Sequence, residues 1–326
     1  MKKEGFSKIS TDPSRLDARS EEVFFAELSF LKESGCGLCP RECGADRLTG
    51  EKGYCRADGR LFAARAALHF WEEPCLSGER GSGTIFFSGC NLRCVYCQNR
   101  EISRGKSGKE ITPQNLSEIF LRLQEQGAHN INLVTPTHYL PWILQALDTA
   151  RAKGLSLPVV YNTGGYEKPE TIRRLSGYVD VYLPDMKYFS PTLSARYSAA
   201  PDYFAYASAS LAEMVRQVRE PVFGLDGMMQ KGVIVRHLIL PEHIDDSKRI
   251  VRYLYETYGD TIYLSLMNQY TPMEKFPEYP ELSRRLTEAE YDEVVDYAIA
   301  LGVENGFIQE MCIRDSRSRS PFCRRT

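Results

Sequence analysis

The chain has 326 residues, enough for one large α/β domain with a small appendage, and its 43% apolar and 26% charged content is ordinary for a globular enzyme. A net charge of −2 gives no electrostatic case for nucleic-acid binding, and no apolar run approaches the roughly 20 residues needed to span a bilayer. Because the first 15 residues lack the apolar core of a secretory signal, the ten cysteines indicate metal ligands rather than disulfides, in a cytoplasmic protein without nucleic-acid or membrane partners.

The predicted elements form three consecutive segments. Residues 1–34 are a polar N-terminal extension, weakly helical over 20–32, and residues 35–75 are a cysteine-rich metal-binding segment. Residues 76–310 alternate short apolar strands with helices. The predicted strands are 84–88, 130–135, 158–162, 179–183, 233–240 and 261–267. The predicted helices are 112–126, 139–153, 168–175, 191–218 with a break near Pro201, 245–258 and 287–302.

This alternation predicts an α/β fold in which six β/α units form a partial (β/α)6 barrel, because parallel strands need crossover helices. An open α/β sheet is the structural alternative. It lacks its usual phosphate-binding signature, since no GxGxxG follows the first strand and the glycine-rich run at 78–83 precedes it.

A cysteine-rich loop follows the first predicted strand of this barrel. Cys90, Cys94 and Cys97 have the spacing CxxxCxxC. Three thiolates in one tight loop can ligate three irons of a 4Fe–4S cluster and leave the fourth iron open. The alternatives are a zinc loop, for which no fourth ligand lies nearby, or three unrelated buried cysteines.

With this spacing, the loop resembles that of the radical S-adenosylmethionine (SAM) enzymes. The resemblance implies that the amino and carboxylate groups of SAM chelate the open iron, and that one electron from the cluster yields methionine and a 5′-deoxyadenosyl radical. It also places an aromatic residue, here Tyr96, near the adenine. An electron donor such as reduced flavodoxin or ferredoxin is implied as well.

Polar residues follow every predicted strand, where β/α barrels gather their active sites. For a SAM ligand, Asp185 and Asn162 can hold the ribose or the ammonium group, and Lys187 can meet the carboxylate. An exposed Asp185–Lys187 ion pair and a turn role for Asn162 are the structural alternatives. His138 and His237 are expected to be packing histidines, and no catalytic residue is assigned.

Several longer stretches, among them 72–78, 81–90 and 235–241, resemble the PflX-type relatives of pyruvate formate-lyase activating enzymes. This resemblance covers residues 36–310. It implies SAM contacts for Asp185 and Lys187. The acidic residue that these enzymes carry after the third strand is replaced by Asn162, and the usual Gly-Gly-Glu after the second strand is replaced by residues 135–137.

A second cysteine cluster lies upstream of the barrel, in a glycine-rich segment too small to fold without support. Four thiolates suit either a structural zinc ion or a second iron–sulfur cluster, and both alternatives stay open. Cys75 is expected to be a buried free thiol. The four predicted ligands are Cys36, Cys39, Cys43 and Cys55.

The resulting hypothesis is a radical SAM enzyme that generates a 5′-deoxyadenosyl radical. By resemblance, the radical activates a glycyl-radical enzyme. The alternatives are radical modification of another protein, peptide or small molecule, and a non-enzymatic iron–sulfur electron carrier.

Residues 311–326 look foreign to the rest of the chain. They begin with Met-Cys-Ile-Arg-Asp-Ser, which resembles the translation of a sequencing adaptor, and continue as an arginine- and serine-rich tract. A natural basic tail is the alternative. If the tail is not native, Cys312 and Cys323 have no function.

Overall fold

The computed structural model describes residues 35–308. The predicted N-terminal extension, Cys312, Cys323 and the adaptor-like tail lie outside these residues. None of the helices within 35–308 combines the length and the apolar character of a membrane span. The cysteine-rich segment leads into a ten-stranded sheet.

Seven of the ten strands run parallel to their neighbours, in the order β2-β4-β5-β6-β8-β9-β10. The strands are β1 (Leu61–His69), β2 (Ser82–Phe87), β3 (Lys109–Ile111), β4 (Ile131–Val134), β5 (Val159–Thr163), β6 (Val181–Pro184), β7 (Val222–Phe223), β8 (Met229–Leu238), β9 (Tyr263–Met267) and β10 (Gly306–Ile308). Strands β1 and β3 extend the β2 edge in antiparallel pairing, and β7 pairs antiparallel with β8.

All six predicted barrel strands are present, within a few residues of their predicted bounds. The sequence prediction missed β10, a seventh parallel strand of only three residues, and the antiparallel strands β1, β3 and β7. Strand β1 falls inside the predicted cysteine-rich segment, yet it pairs with β2 in the same sheet as the barrel strands.

The helices connect the parallel strands, except the first helix, which lies before β2. They are α1 (Pro74–Ser77), α2 (Arg100–Ser103), α3 (Pro113–Glu125), α4 (Leu140–Ala152), α5 (Pro169–Arg173), α6 (Pro191–Ser198), α7 (Tyr203–Val218), α8 (Ile244–Tyr258) and α9 (Glu288–Leu301). The capping box predicted at Thr287 is present, and Gly302 ends α9 in the left-handed conformation. The break predicted near Pro201 is confirmed: α6 ends at Ser198, Ala199 has a positive φ of 48°, and α7 begins at Tyr203.

The core has two layers. The larger layer packs the outer face of the sheet against the long helices, and a smaller cluster lies on the inner face. The inner cluster consists of Cys75, Leu76, Val160, Val181, Leu183, Met229 and Ile234. Because Cys75 and Leu76 belong to α1, this short helix forms an apolar floor beneath the inner face of a partial barrel. The predicted fold class is therefore confirmed, and Cys75 is buried as expected.

Candidate active site

The three-cysteine loop begins directly after β2. Cys94 is buried, and Cys90 and Cys97 are partly buried. The sulfur atoms lie close together: Cys94 raises the pKa of both Cys90 and Cys97, and Cys97 also raises that of Cys90. Burial is the larger effect and raises the pKa of Cys90 to about 12, so the ionised thiol requires a compensating positive charge such as a metal.

Each sulfur in this loop receives a hydrogen-bond donor. The Leu92 backbone N–H lies 3.4 Å from Cys90 Sγ, and the Ser198 hydroxyl donates to Cys94 Sγ at 3.0 Å. Ser103 and a backbone N–H hold the pKa of Cys97 lower than burial alone would. Donors of this kind stabilise anionic, metal-bound sulfur.

Within residues 35–308, no group of three or more His, Cys, Asp or Glu side chains is arranged as it would be around one metal ion, and this holds for the three-cysteine loop and for the upstream cysteines alike.

A chain of hydroxyl groups connects the loop to the predicted adenine neighbour. Tyr188 lies 2.8 Å from the Ser198 hydroxyl and 2.7 Å from the Tyr96 hydroxyl. The Tyr96 ring is buried and makes edge contacts with the rings of Tyr188, Tyr197 and Tyr270. Each hydroxyl group has a single proton to donate. A thiolate at Cys94 takes the hydrogen bond of Ser198, and this fixes which hydroxyl donates and which accepts at the next contact.

The structure brings together the other three residues predicted to bind SAM. Lys187 Nζ lies 2.6 Å from one Asp185 oxygen, and Arg236 Nε lies 2.9 Å from the other. Arg236 also donates to Asn162 Oδ1 at 2.6 Å and to Glu72 Oε2 at 3.2 Å. The Asp185–Lys187 pair is therefore an inward-facing network at the strand ends, with side chains about 15% exposed, rather than the exposed ion pair of the alternative.

The electrostatics of this network favour its charged forms. Burial opposes charge on Asp185, but Arg236 and Lys187 outweigh it and hold the pKa of Asp185 below its usual value. Burial also opposes charge on Lys187, and Asp185 raises the pKa of Lys187 above its usual value. Lys187 is near enough to Cys97 to lower the pKa of that thiol, which places the network next to the cysteine loop.

Sequence reasoning missed Arg236 and Glu72 as members of this site. Glu72 reaches the lumen from the segment before β2, and Arg236 comes from β8. Both lie in stretches noted for their family resemblance, 72–78 and 235–241. An arginine directly after the apolar run 233–235 was the available signal, because a buried charge requires a partner.

The two predicted packing histidines are buried and hydrogen-bonded. His138 Nε2 lies 2.7 Å from the Ser88 carbonyl, and burial lowers the pKa of His138 to about 3. His237 contacts the Met186 carbonyl at 2.7 Å and Ser247 at 2.9 Å. Both histidines therefore carry the structural role expected of them.

The cysteine-rich segment packs directly against the three-cysteine loop. The Cys55 carbonyl accepts a hydrogen bond from the Cys90 N–H at 3.3 Å. Burial is the main cause that raises the pKa of both Cys39 and Cys55. Nearby thiols add to the shift: Cys55 and Cys36 for Cys39, and Cys36 and Cys43 for Cys55. The four predicted ligands therefore form one neighbourhood.

A buried arginine completes this neighbourhood. Arg47 is fully buried and lies 3.9 Å from Cys36 Sγ. Its hydrogen bonds and ring contacts within residues 35–308 go to the Asp58 carbonyl, Tyr139 and Trp142, none of them a carboxylate. Because a buried guanidinium needs compensating negative charge, this position favours thiolates over neutral thiols nearby.

These features define a partial-barrel protein with a three-cysteine loop at its strand ends. The family model described as the radical SAM superfamily matches residues 84–254, just over half of the chain. The chain therefore belongs to the radical SAM superfamily.

Two curated relatives come from Methanocaldococcus jannaschii. Uncharacterized protein MJ0674 is 31% identical over 272 residues, covering 81% of this chain and 74% of the relative. Uncharacterized protein MJ0808 is 25% identical over 268 residues, covering 73% and 71%. A radical SAM methyltransferase from Sphaerobacter thermophilus has a TM-score of 0.49 at 14% identity, covering 70% of this chain and 66% of that structure. A similarity of this size indicates nothing about the substrate.

Proposed function

We propose that Cys90, Cys94 and Cys97 hold a 4Fe–4S cluster and that the chain uses it to cleave SAM reductively. The observation that carries this proposal is the loop of three sulfurs, each with a hydrogen-bond donor, beside a charged network at the strand ends. When bound, the cluster supplies the electron that converts SAM to methionine and a 5′-deoxyadenosyl radical. The radical then abstracts hydrogen from a substrate.

The chain's own residues bind and orient SAM in this proposal. Lys187 keeps one donor on Asp185 and has two more, so it can also meet the SAM carboxylate. Asn162 and Asp185 are held in place by Arg236 and can accept from the ribose hydroxyls. Tyr96 stands beside the cluster loop as the proposed neighbour of the adenine.

Release of 5′-deoxyadenosine tests this function. Anaerobically reconstituted protein with SAM and dithionite is expected to release it, and Cys94→Ala is expected to release none while staying folded. Cys75→Ala is the matched control, because Cys75 is a buried cysteine in the barrel floor, and this variant should retain release. A non-enzymatic electron carrier would reduce its cluster and release no 5′-deoxyadenosine.

We also propose a second metal centre at Cys36, Cys39, Cys43 and Cys55. Their shared neighbourhood and the buried Arg47 support four thiolates here. Metal analysis of a variant lacking Cys90, Cys94 and Cys97 tests it: bound zinc or iron supports the centre and names the metal. Absence of both metals would remove this second site.

The narrower proposal, a PflX-type activase of a glycyl-radical enzyme supplied with electrons by flavodoxin or ferredoxin in the cytoplasm, rests on the sequence resemblance. Formation of a glycyl-radical signal by electron paramagnetic resonance, in a glycyl-radical enzyme encoded beside this chain, would support it. Release of 5′-deoxyadenosine without that signal would favour radical modification of another protein, peptide or small molecule.

A further inference from the structure

One arginine of the cysteine-rich segment reaches the three-cysteine loop. Arg41 Nε donates to the Asn91 carbonyl at 2.8 Å, and Asn91 directly follows Cys90. The two Nη atoms of Arg41 donate to the carbonyls of Ser198, at 2.7 Å, and of Ala199. Within residues 35–308, the hydrogen bonds of this guanidinium therefore go to carbonyl oxygens of the loop and of the end of α6. Arg41 holds these two elements together.

The contacts of Arg41 fix the end of α6. The last carbonyls of a helix have no hydrogen-bond partner inside the helix, and a cation beside them is favourable. Arg41 supplies both the donor and the charge at Ser198, the last residue of α6. The rings of Tyr54 and Tyr166 lie next to the guanidinium, with their centroids 4.1 Å and 5.0 Å from Arg41 Cζ. These rings hold the guanidinium in one place, and the end of α6 is held with it.

The backbone of Arg41 contacts the second metal centre. Burial raises the pKa of the Cys39 thiol, and a hydrogen bond from the Arg41 backbone N–H opposes that effect. Cys39 and Cys43 lie on either side of Arg41, each two positions away. A metal bound to both cysteines therefore fixes the chain before and after Arg41. Hydrogen bonds then lead from Cys39 Sγ through Arg41 to Ser198, whose hydroxyl donates to Cys94 Sγ at 3.0 Å.

We propose that Arg41 is a positioning residue that couples metal binding at the second metal centre to the reduction potential of the 4Fe–4S cluster. A metal at the second centre holds the Arg41 backbone, and the guanidinium keeps the Ser198 hydroxyl on Cys94 Sγ. This donor stabilises the reduced cluster, because reduction adds negative charge to the sulfurs. Loss of the second metal releases Arg41, and the Ser198 hydroxyl then leaves the sulfur. The inference rests on the proposed function, because both metal centres belong to it.

Redox titration of the reconstituted full chain without SAM, followed by electron paramagnetic resonance, tests this coupling. The signal that Cys94→Ala lacks identifies the cluster. Ser198→Ala is expected to lower its potential, and Arg41→Gln to lower it by at least half as much. Arg41→Gln combined with Ser198→Ala should shift the potential no further than Ser198→Ala alone, whereas simple loss of positive charge would act in both backgrounds. Arg56→Gln removes an exposed arginine of the same segment and, as the matched control, should leave the potential unchanged.

Two further variants complete the test. Cys43 is exposed, and Cys43→Ala is expected to lose the second metal and to lower the potential of the remaining cluster. In the Arg41→Gln background, Cys43→Ala should add no shift. Arg41→Lys keeps the positive charge but not the planar group that reaches three carbonyls, so it should lower the potential by less than Arg41→Gln. Arg41→Lys also repeats the comparison with Ser198→Ala if Arg41→Gln takes up no iron.

An unchanged potential in Arg41→Gln, full restoration by Arg41→Lys, or additive shifts in the double variant would overturn the inference. So would an unchanged potential in Cys43→Ala protein that has lost its second metal, or a wild-type protein that binds no second metal. These measurements need neither SAM nor substrate. A protein that releases 5′-deoxyadenosine but shows no coupling would contradict this inference alone, and the proposed SAM cleavage would stand.

Discussion

The Ser198 hydroxyl is expected to raise the reduction potential of a cluster held by Cys94. Ser198 donates to Cys94 Sγ at 3.0 Å and lies at the end of α6. Arg41 of the cysteine-rich segment fixes this position by donating to the Ser198 carbonyl at 2.7 Å. Because reduction adds negative charge to the cluster, a donor on its sulfur stabilises the reduced form more than the oxidised form.

The size of the effect follows from hydrogen-bond energetics. A hydrogen bond to a charged acceptor contributes about 1.5–3 kcal/mol, of which we take roughly 1 kcal/mol as the gain on reduction. For a one-electron couple, about 1.4 kcal/mol corresponds to roughly 59 mV, so Ser198→Ala is expected to lower the potential by roughly 40 mV. The substitution leaves the backbone N–H donor to Cys90 Sγ in place.

The assay is a redox titration of the reconstituted protein followed by electron paramagnetic resonance. Ser194→Ala is the matched control: Ser194 is a buried serine of the same helix, and its hydroxyl donates to the Pro191 carbonyl at 3.1 Å. An unchanged potential in Ser198→Ala, or an equal shift in Ser194→Ala, would refute the reasoning.

Three further substitutions test other parts of the structure. Burial raises the pKa of Glu167 to about 7. The free energy of unfolding is therefore expected to fall by roughly 3 kcal/mol as pH rises from about 4.5 to 7, because the folded protein then has to hold a buried charge. In urea unfolding, Glu167→Gln should lack this fall. Arg236→Gln is expected to lower the free energy of unfolding by about 3–5 kcal/mol, because it leaves buried carboxylates without their partner. Arg216→Gln removes an exposed guanidinium beside Glu213 and should leave the free energy of unfolding nearly unchanged. Gly89→Ala is expected to reduce the iron bound per chain, because the added Cβ would lie 2.4 Å from the Cys55 carbonyl oxygen in the cysteine-rich segment. In the control Gly127→Ala, the added Cβ has no neighbour within 4 Å, and the protein should bind iron as before.

Each of these expectations has a contradicting result. An identical pH dependence in wild type and Glu167→Gln would show that another group carries the proton. Equal losses in the two arginine variants would remove the argument from burial. Full iron binding by Gly89→Ala would show that the cysteine-rich segment and the three-cysteine loop are not packed as described.

The sequence predicted what is encoded locally. The six barrel strands are continuous apolar runs, and the three cysteines lie within eight consecutive residues, so both features can be recognised from the sequence alone. Short or pairing-dependent elements were missed. Strand β10 has three residues, and β1 is a strand because β2 lies beside it.

The charged network could not be predicted because its partners are distant in sequence. Arg236 meets Glu72 across 164 positions and Asp185 across 51. Nothing in the local pattern distinguishes the buried Glu72 and Glu73 from surface glutamates such as Glu79. These carboxylates are buried among charged partners because the fold directs the segment before β2 into the barrel.

The most direct test of the central claim is the electron paramagnetic resonance spectrum of the reduced cluster with and without SAM. An iron left open by Cys90, Cys94 and Cys97 must change its coordination when SAM binds, so the signal is expected to change on addition of SAM. That change should be absent in Cys94→Ala. A reduced cluster whose signal is the same with and without saturating SAM would contradict the account.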